Sequence, residues 1–245
     1  MSSPQPPLLS ILALHYWAGS GRAFDLLPPL LPPGTRLLAP DLPGFGPQAA
    51  PAGFDYSLAA YVAWVASYLS NQNLTGYTLL GHSMGGKIAL ALAAQRPPGL
   101  QRLVLLSPSP PGGEPMSAAA RQCSLAAFGQ HPAAEAAYRR IVQRPLPAAI
   151  HQQVVADNLR STAPAWDEWL LRGSREDLAA LMPRLAVPCR LLVGQHDRAI
   201  APGTQRRLTL PLLPPGTRLP VVAGAGHLLP LEAPEAVAQA IVSGL

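Results

Sequence analysis

The sequence predicts an α/β fold, a mostly parallel sheet with helices on both faces, and three observations carry that prediction. Short apolar runs alternate along the chain with longer amphipathic or Ala/Leu-rich runs, the pattern of strand–helix–strand units. Gly81-His82-Ser83-Met84-Gly85 joins the apolar run Tyr77 to Leu80 to the Ala/Leu-rich run Lys87 to Ala94, which sets a serine on a tight strand-to-helix turn. A chain of 245 residues, 49% of them hydrophobic, can bury one large core.

Taken in order, Leu9 to His15 reads as the first strand. The apolar run it belongs to, Leu8 to Leu14, has no basic region before it and is shorter than the ~20 residues of a membrane span, so it reads as core rather than as signal or anchor. A helical pattern follows over Ala23 to Leu31, then a strand over Arg36 to Ala39 and a helix over Leu58 to Leu69. Tyr77 to Leu80 is the strand before the serine turn, and Ser83 to Gln95 the helix after it. Leu103 to Ser107, Arg190 to Val193 and Arg218 to Val222 are further apolar strands, and Pro234 to Val242 is a closing helix with proline at its start.

Between Ser107 and Cys189 lies far more chain than a strand-to-helix connection needs. Pro108 to Pro115 reads as a Pro/Gly hinge, and Ser117 to Leu181 as short helices broken by Pro132, Pro145, Pro147 and Pro164. The expected organisation is therefore a core built from residues 1–107 and 184–245 with a helical insertion over 108–183.

Composition narrows the function classes. Charged residues make up 13% of the chain against an average of about 25%, and the 30 prolines are scattered between periodic segments, which indicates stiff loops rather than disorder. The net charge of +5 invites a nucleic-acid reading, but the arginines are dispersed and form no basic block interleaved with aromatics, so no nucleic-acid partner is expected. Cys123 and Cys189 are too few for a disulfide framework and too far apart for a metal motif; a reduced, cytoplasmic setting is expected, with no membrane association.

The chemistry resides in the serine turn. Spacing Gly-x-Ser-x-Gly removes bulk two residues either side of Ser83 and leaves its hydroxyl projecting from the sheet edge. A serine hydroxyl is almost fully protonated at neutral pH, so it needs a base and a third group to orient that base. Arg190 to Asp197 reads as a buried strand running into a carboxylate, and Ala223-Gly224-Ala225-Gly226-His227 places a histidine in a Gly-rich loop beyond the last strand. The chain order is Ser, Asp, His. No acid follows the strand ending at Ser107 until Glu114, the rival for the third role.

These residues resemble the α/β-hydrolase superfamily. Beside Gly81 to Gly86, the family's strand-end pattern reappears as His15-Tyr16-Trp17-Ala18-Gly19, its next turn as Asp41-Leu42-Pro43-Gly44-Phe45-Gly46, and its terminal pattern as Gly226-His227-Leu228-Leu229-Pro230-Leu231-Glu232-Ala233-Pro234. The resemblance covers nearly the whole chain and implies Ser83 as nucleophile, His227 as general base, Asp197 as its orienting acid, and the backbone N–H groups of Trp17 and Met84 as the oxyanion hole. It also implies that the family's first two strands, an antiparallel edge hairpin, are missing, and that the insertion is a cap over the strand ends. His15, His82 and Asp41 then have structural roles. Tyr16 departs from the family's usual glycine, which makes the oxyanion loop the place to look for a local difference, since tyrosine visits positive φ only at a cost.

No metal or organic cofactor is implied, and the expected partner is a small molecule. Residues 114–183 hold seven arginines and seven acids, so the insertion carries no net charge to steer an ionic substrate, and Phe128, Tyr138, Trp166 and Trp169 suit an apolar pocket or, for most of them, the packing of the insertion itself. The expected reaction is cleavage of an uncharged, largely apolar carboxylic ester. Two alternatives stand beside it: carbon–carbon bond hydrolysis or a lyase reaction on the same triad, and a non-catalytic small-molecule receptor on the same fold.

Overall fold

The computed structural model describes residues 9–47 and 49–243. Its centre is a six-stranded sheet in the order β2-β1-β3-β4-β5-β6, parallel throughout. The strands are β1 (Ser10–Leu14), β2 (Arg36–Leu38), β3 (Tyr77–His82), β4 (Leu100–Leu106), β5 (Cys189–Gly194) and β6 (Val221–Val222). The apolar runs are continuous because a sheet covered on both faces needs apolar side chains pointing both ways. Leu12, Leu14, Leu79, Leu103 and Leu105 enter one core layer, and Ile11, Ala13, Leu80, Val104 and Leu106 the other.

Helices α1 (Leu58–Ser70) and α2 (Met84–Ala93) cover the first layer. The second is closed by α9 (Pro234–Val242) together with Phe24 and Leu27. The helix expected over Ala23 to Leu31 is instead two short 3-10 turns, Gly21–Phe24 and Pro28–Leu30. Pro28 and Pro29 have no N–H to donate, and their rings obstruct the preceding turn, so an α-helix cannot pass through them. Strand β6 is likewise shorter than expected: Pro220 contributes only its carbonyl, which accepts from Val193, and pairing starts at Val221.

The connection from β4 to β5 carries α3 (Ala118–Ala126), α4 (His131–Ile141), α5 (Ala148–Leu159) and α6 (Ala163–Leu171). The prolines start these helices rather than break them: Pro132 and Pro164 lie in first turns and Pro147 directly precedes α5, where a missing N–H costs nothing. The Pro/Gly stretch at 108–115 is not a free hinge. Pro108 to Pro111 are buried, Ser109 N–H donates to Ser83 O at 3.0 Å, and Leu178 N–H donates to Pro111 O at 2.8 Å.

Two short helices, α7 (Pro202–Thr204) and α8 (Leu229–Glu232), follow β5 and β6. No strand precedes β1 among the described residues, and among them no helix is long and apolar enough to cross a membrane. The sheet order reverses at β1, which has β2 on one side and β3 on the other. Such switch points open a crevice at the carboxyl ends of the strands, and the segments that leave β1 and β3 there begin with His15 and Ser83.

Candidate active site

Ser83 directly follows β3 at the N-cap position of α2, with φ 53° and ψ −115°, a conformation that an L-residue holds only under strain. The neighbouring glycines make the turn possible. A Cβ on Gly81 would lie 2.6 Å from Gly85 O, and one on Gly85 would lie 2.2 Å from Leu14 O. Gly85 N–H also donates to His15 O at 3.1 Å, tying the turn to the end of β1. Gly85→Ala should therefore cost at least about 1–3 kcal/mol as backbone overpacking, read as a lowered midpoint in thermal melts; an unchanged melting point would show that the strand end yields easily.

Across the sheet, Gly194 and Val222 pair in register, so the loops leaving β5 and β6 run side by side and His196 N–H donates to Ala225 O at 2.9 Å. This brings Asp197 to His227. The imidazole Nδ1 lies 2.8 Å from Asp197 Oδ2, while Oδ1 accepts the Ala199 and Ile200 amides at 2.8 Å each. Asp197 thus caps its own turn and binds the histidine with its second oxygen. Burial opposes the charged imidazolium of His227, but Asp197, then Glu114 and Glu232, outweigh it and hold the pKa above 6.5. Burial likewise opposes the Asp197 carboxylate, and the facing His227 keeps its pKa below the usual value.

The other sequence-singled residues hold the loops. His15 Nε2 accepts the Leu42 amide at 2.9 Å while Nδ1 donates to Tyr16 O at 2.7 Å, a neutral ring, as burial dictates. His82 Nε2 donates to His227 O at 2.8 Å, and burial, aided by the nearby His227, drives its pKa to about 3. Asp41 Oδ1 accepts the Gly21 amide at 2.7 Å. Tyr16 takes no positive φ; the left-handed residue in this loop is Ala18, at φ 61°. Among the described residues, neither the Trp17 nor the Met84 amide donates to another backbone group outside the helices and strands.

Ser83, His227 and Trp17 open onto one cavity of about 430 Å³. Helix α4 contributes Ala134, Ala137, Tyr138 and Ile141, a stripe at helical spacing that was legible in the sequence as one face but went unread. Of the four aromatics expected at the pocket or in the packing of the insertion, Tyr138 and Trp169 line the cavity, and Phe128 and Trp166 take the packing role. Trp166 packs on Trp17 with ring centroids 4.1 Å apart and Phe128 packs on Trp166. Charged groups reach the cavity as well: Glu114 and Arg140 from the insertion, which balance each other, and Arg198 from the loop after β5. Burial holds the Glu114 carboxyl above its usual pKa.

Among the described residues, no group of three or more His, Cys, Asp or Glu side chains could hold a metal ion, and Cys123 and Cys189 are free thiols. Asp157 of α5 ties the connection between β4 and β5 to the segment after β1. Its buried carboxylate accepts from Ser20 Oγ at 2.7 Å and pairs with Arg22 and Arg160.

The curated relatives aligned at 37% identity match in part: a probable serine hydrolase of Drosophila melanogaster aligns over 100 residues, 38% of this chain and 29% of that protein. An uncharacterized hydrolase of Bacillus subtilis, YugF, is 26% identical over 96% of this chain and 89% of its own length. Among solved structures, an esterase from Exiguobacterium antarcticum superposes with a TM-score of 0.86 at 21% identity, covering 96% of this chain and 91% of that one, which shows a shared fold. A sequence profile of the alpha/beta hydrolase family matches residues 11–240, and with the parallel sheet and its serine turn this establishes that the chain belongs to the alpha/beta hydrolase family.

Proposed function

We propose that the protein is a serine hydrolase that cleaves an uncharged, largely apolar carboxylic ester through an acyl-enzyme intermediate, with residues 108–183 as the cap over the site. One observation carries the reading: a histidine bonded at 2.8 Å to a buried carboxylate opens onto the same cavity as a serine held on a strained turn. Asp197 keeps the proton of His227 on Nδ1, which leaves Nε2 as the base. His227 takes the hydroxyl proton as Ser83 Oγ attacks the carbonyl, and the Trp17 and Met84 amides receive the charge that develops on oxygen. The imidazolium then protonates the departing alkoxide. Water, deprotonated by the same histidine, releases the acid and restores Ser83.

Because the base must be neutral, kcat/KM should rise with pH through a value above 6.5, the raised pKa of His227. An acid limb below 6.5 would show that His227 is not held by Asp197 in solution. The apolar wall predicts that kcat/KM for p-nitrophenyl esters rises about fourfold per added methylene, from ~0.8 kcal/mol each, until the cavity is full, then falls. A flat series would remove the apolar acyl site from this reading.

The carbon–carbon alternative has a specific observation in its favour. Glu114, Arg140 and Arg198 put charge on a cavity where a plain alkyl ester has no use for it. Parallel assays of alkyl esters and of a carboxylate-bearing vinylogous diketone discriminate the two: faster cleavage of the diketone, lost at high salt, would favour the alternative.

A further inference from the structure

Four backbone amides converge on one buried carboxylate behind the histidine. Glu232, the last residue of α8, is 4% exposed; its Oε1 accepts the Leu228 amide at 3.0 Å, and its Oε2 accepts those of Gly226 at 2.9 Å, Gln143 at 2.8 Å and Arg144 at 2.9 Å. Gly226 and Leu228 flank His227, while Gln143 and Arg144 belong to the connection from α4 to α5. The last residue of α4, just before that connection, takes the histidine's own N–H on Ile141 O at 2.8 Å. The Arg144 guanidinium closes the arrangement, donating to Glu232 O at 2.8 Å and to Ala223 O at 2.7 Å.

We propose that Glu232 is a positioning residue for His227: its carboxylate fixes both sides of the histidine's loop and locks that loop to the inserted helices. The proposal rests on His227 as the base, and assigns Glu232 no contact with substrate. The chemistry of the cluster calls for a carboxylate. Only an ionised carboxyl offers two oxygens with about four acceptor sites and no donor, whereas an amide would turn an NH₂ group against one or more of the converging N–H groups. A displacement of about 1 Å at a reacting group is enough to cost ~10²-fold in rate. The charge matters as well as the shape. His227 faces Asp197 from the loop after β5, Glu114 from the segment after β4, Glu232 from α8 and the neutral His82 from the end of β3, with Arg140 and Arg198 on the same cavity. Of the carboxylates, Glu232 is the one that also holds the loop's backbone.

Glu232→Gln and Glu232→Asp separate the two effects in the full-length protein. The readouts are kcat and KM for a p-nitrophenyl ester across pH, the rate of fluorophosphonate labelling, and the His227 ring titration by proton NMR. Glu232→Gln should lower kcat and the labelling rate by about ten- to a hundredfold with KM within about twofold. Its acid limb and its His227 titration should both move to lower pH, because a negative charge that favours the imidazolium is gone. Glu232→Asp keeps the charge, so its acid limb should stay in place while its kcat falls. If Glu232→Gln does not fold, the aspartate variant alone tests the positioning through kcat and labelling at constant KM. Wild-type kcat in either variant overturns the proposal, as does a loss confined to KM or thermal stability with the His227 titration of Glu232→Gln unmoved. Failure of the catalytic reading itself is distinguishable: wild type would then neither be labelled at Ser83 nor turn over esters, while the NMR titration still reports on Glu232.

Discussion

Ser83→Ala is expected to abolish ester turnover and leave the protein folded. The serine hydroxyl makes no capping bond to α2, and the strain at φ 53° belongs to any residue with a Cβ, so alanine inherits the backbone cost and loses only the nucleophile. The stability, read from thermal melts, should change by no more than a neutral substitution does, about ±0.5 kcal/mol. Residual activity should lie far below wild type, near the ~10³ to 10⁴-fold over water that an oxyanion hole and binding alone sustain. A fluorophosphonate should label wild type once and the variant not at all. Equal labelling of both would place the nucleophile elsewhere.

Asp197→Asn should lower kcat by a factor on the order of 10⁴. The asparagine oxygen can keep the Ala199 and Ile200 amides, but its NH₂ then faces His227 Nδ1 and forces the ring proton onto Nε2, where the base should be free. The remaining activity should also have its acid limb at lower pH, because Asp197 is the main influence raising the His227 pKa against burial. A drop below about tenfold would move the orienting role to another carboxylate, and Glu114, on the same cavity, is the first to replace by glutamine.

Much of the core was legible because its signals are local. Apolar runs buried on two faces, a glycine-flanked serine and a proline at the start of α9 each specify geometry within a few residues. Where a boundary depends on a partner, local reading fell short: β4 begins at Leu100, ahead of the apolar run at Leu103, because Tyr77 of β3 pairs with it across a register shift. The false helix over Ala23 to Leu31 had apolar content but no donors at Pro28 and Pro29, and two 3-10 turns bury Phe24 and Leu27 instead.

The sequence by itself determined the α/β core, the Ser, Asp, His order and the helical insertion, since each is written as periodicity or as a motif along the chain. Only the tertiary structure decided which side chains meet. His227 reaches Asp197 because β5 and β6 are neighbours, Glu232 gathers amides from Gln143 and Arg144 across the insertion, and Trp166 turns from the cavity onto Trp17. These contacts join groups far apart in sequence on elements whose own periodicity allows more than one facing, and the choice among facings is set by packing against the rest of the molecule.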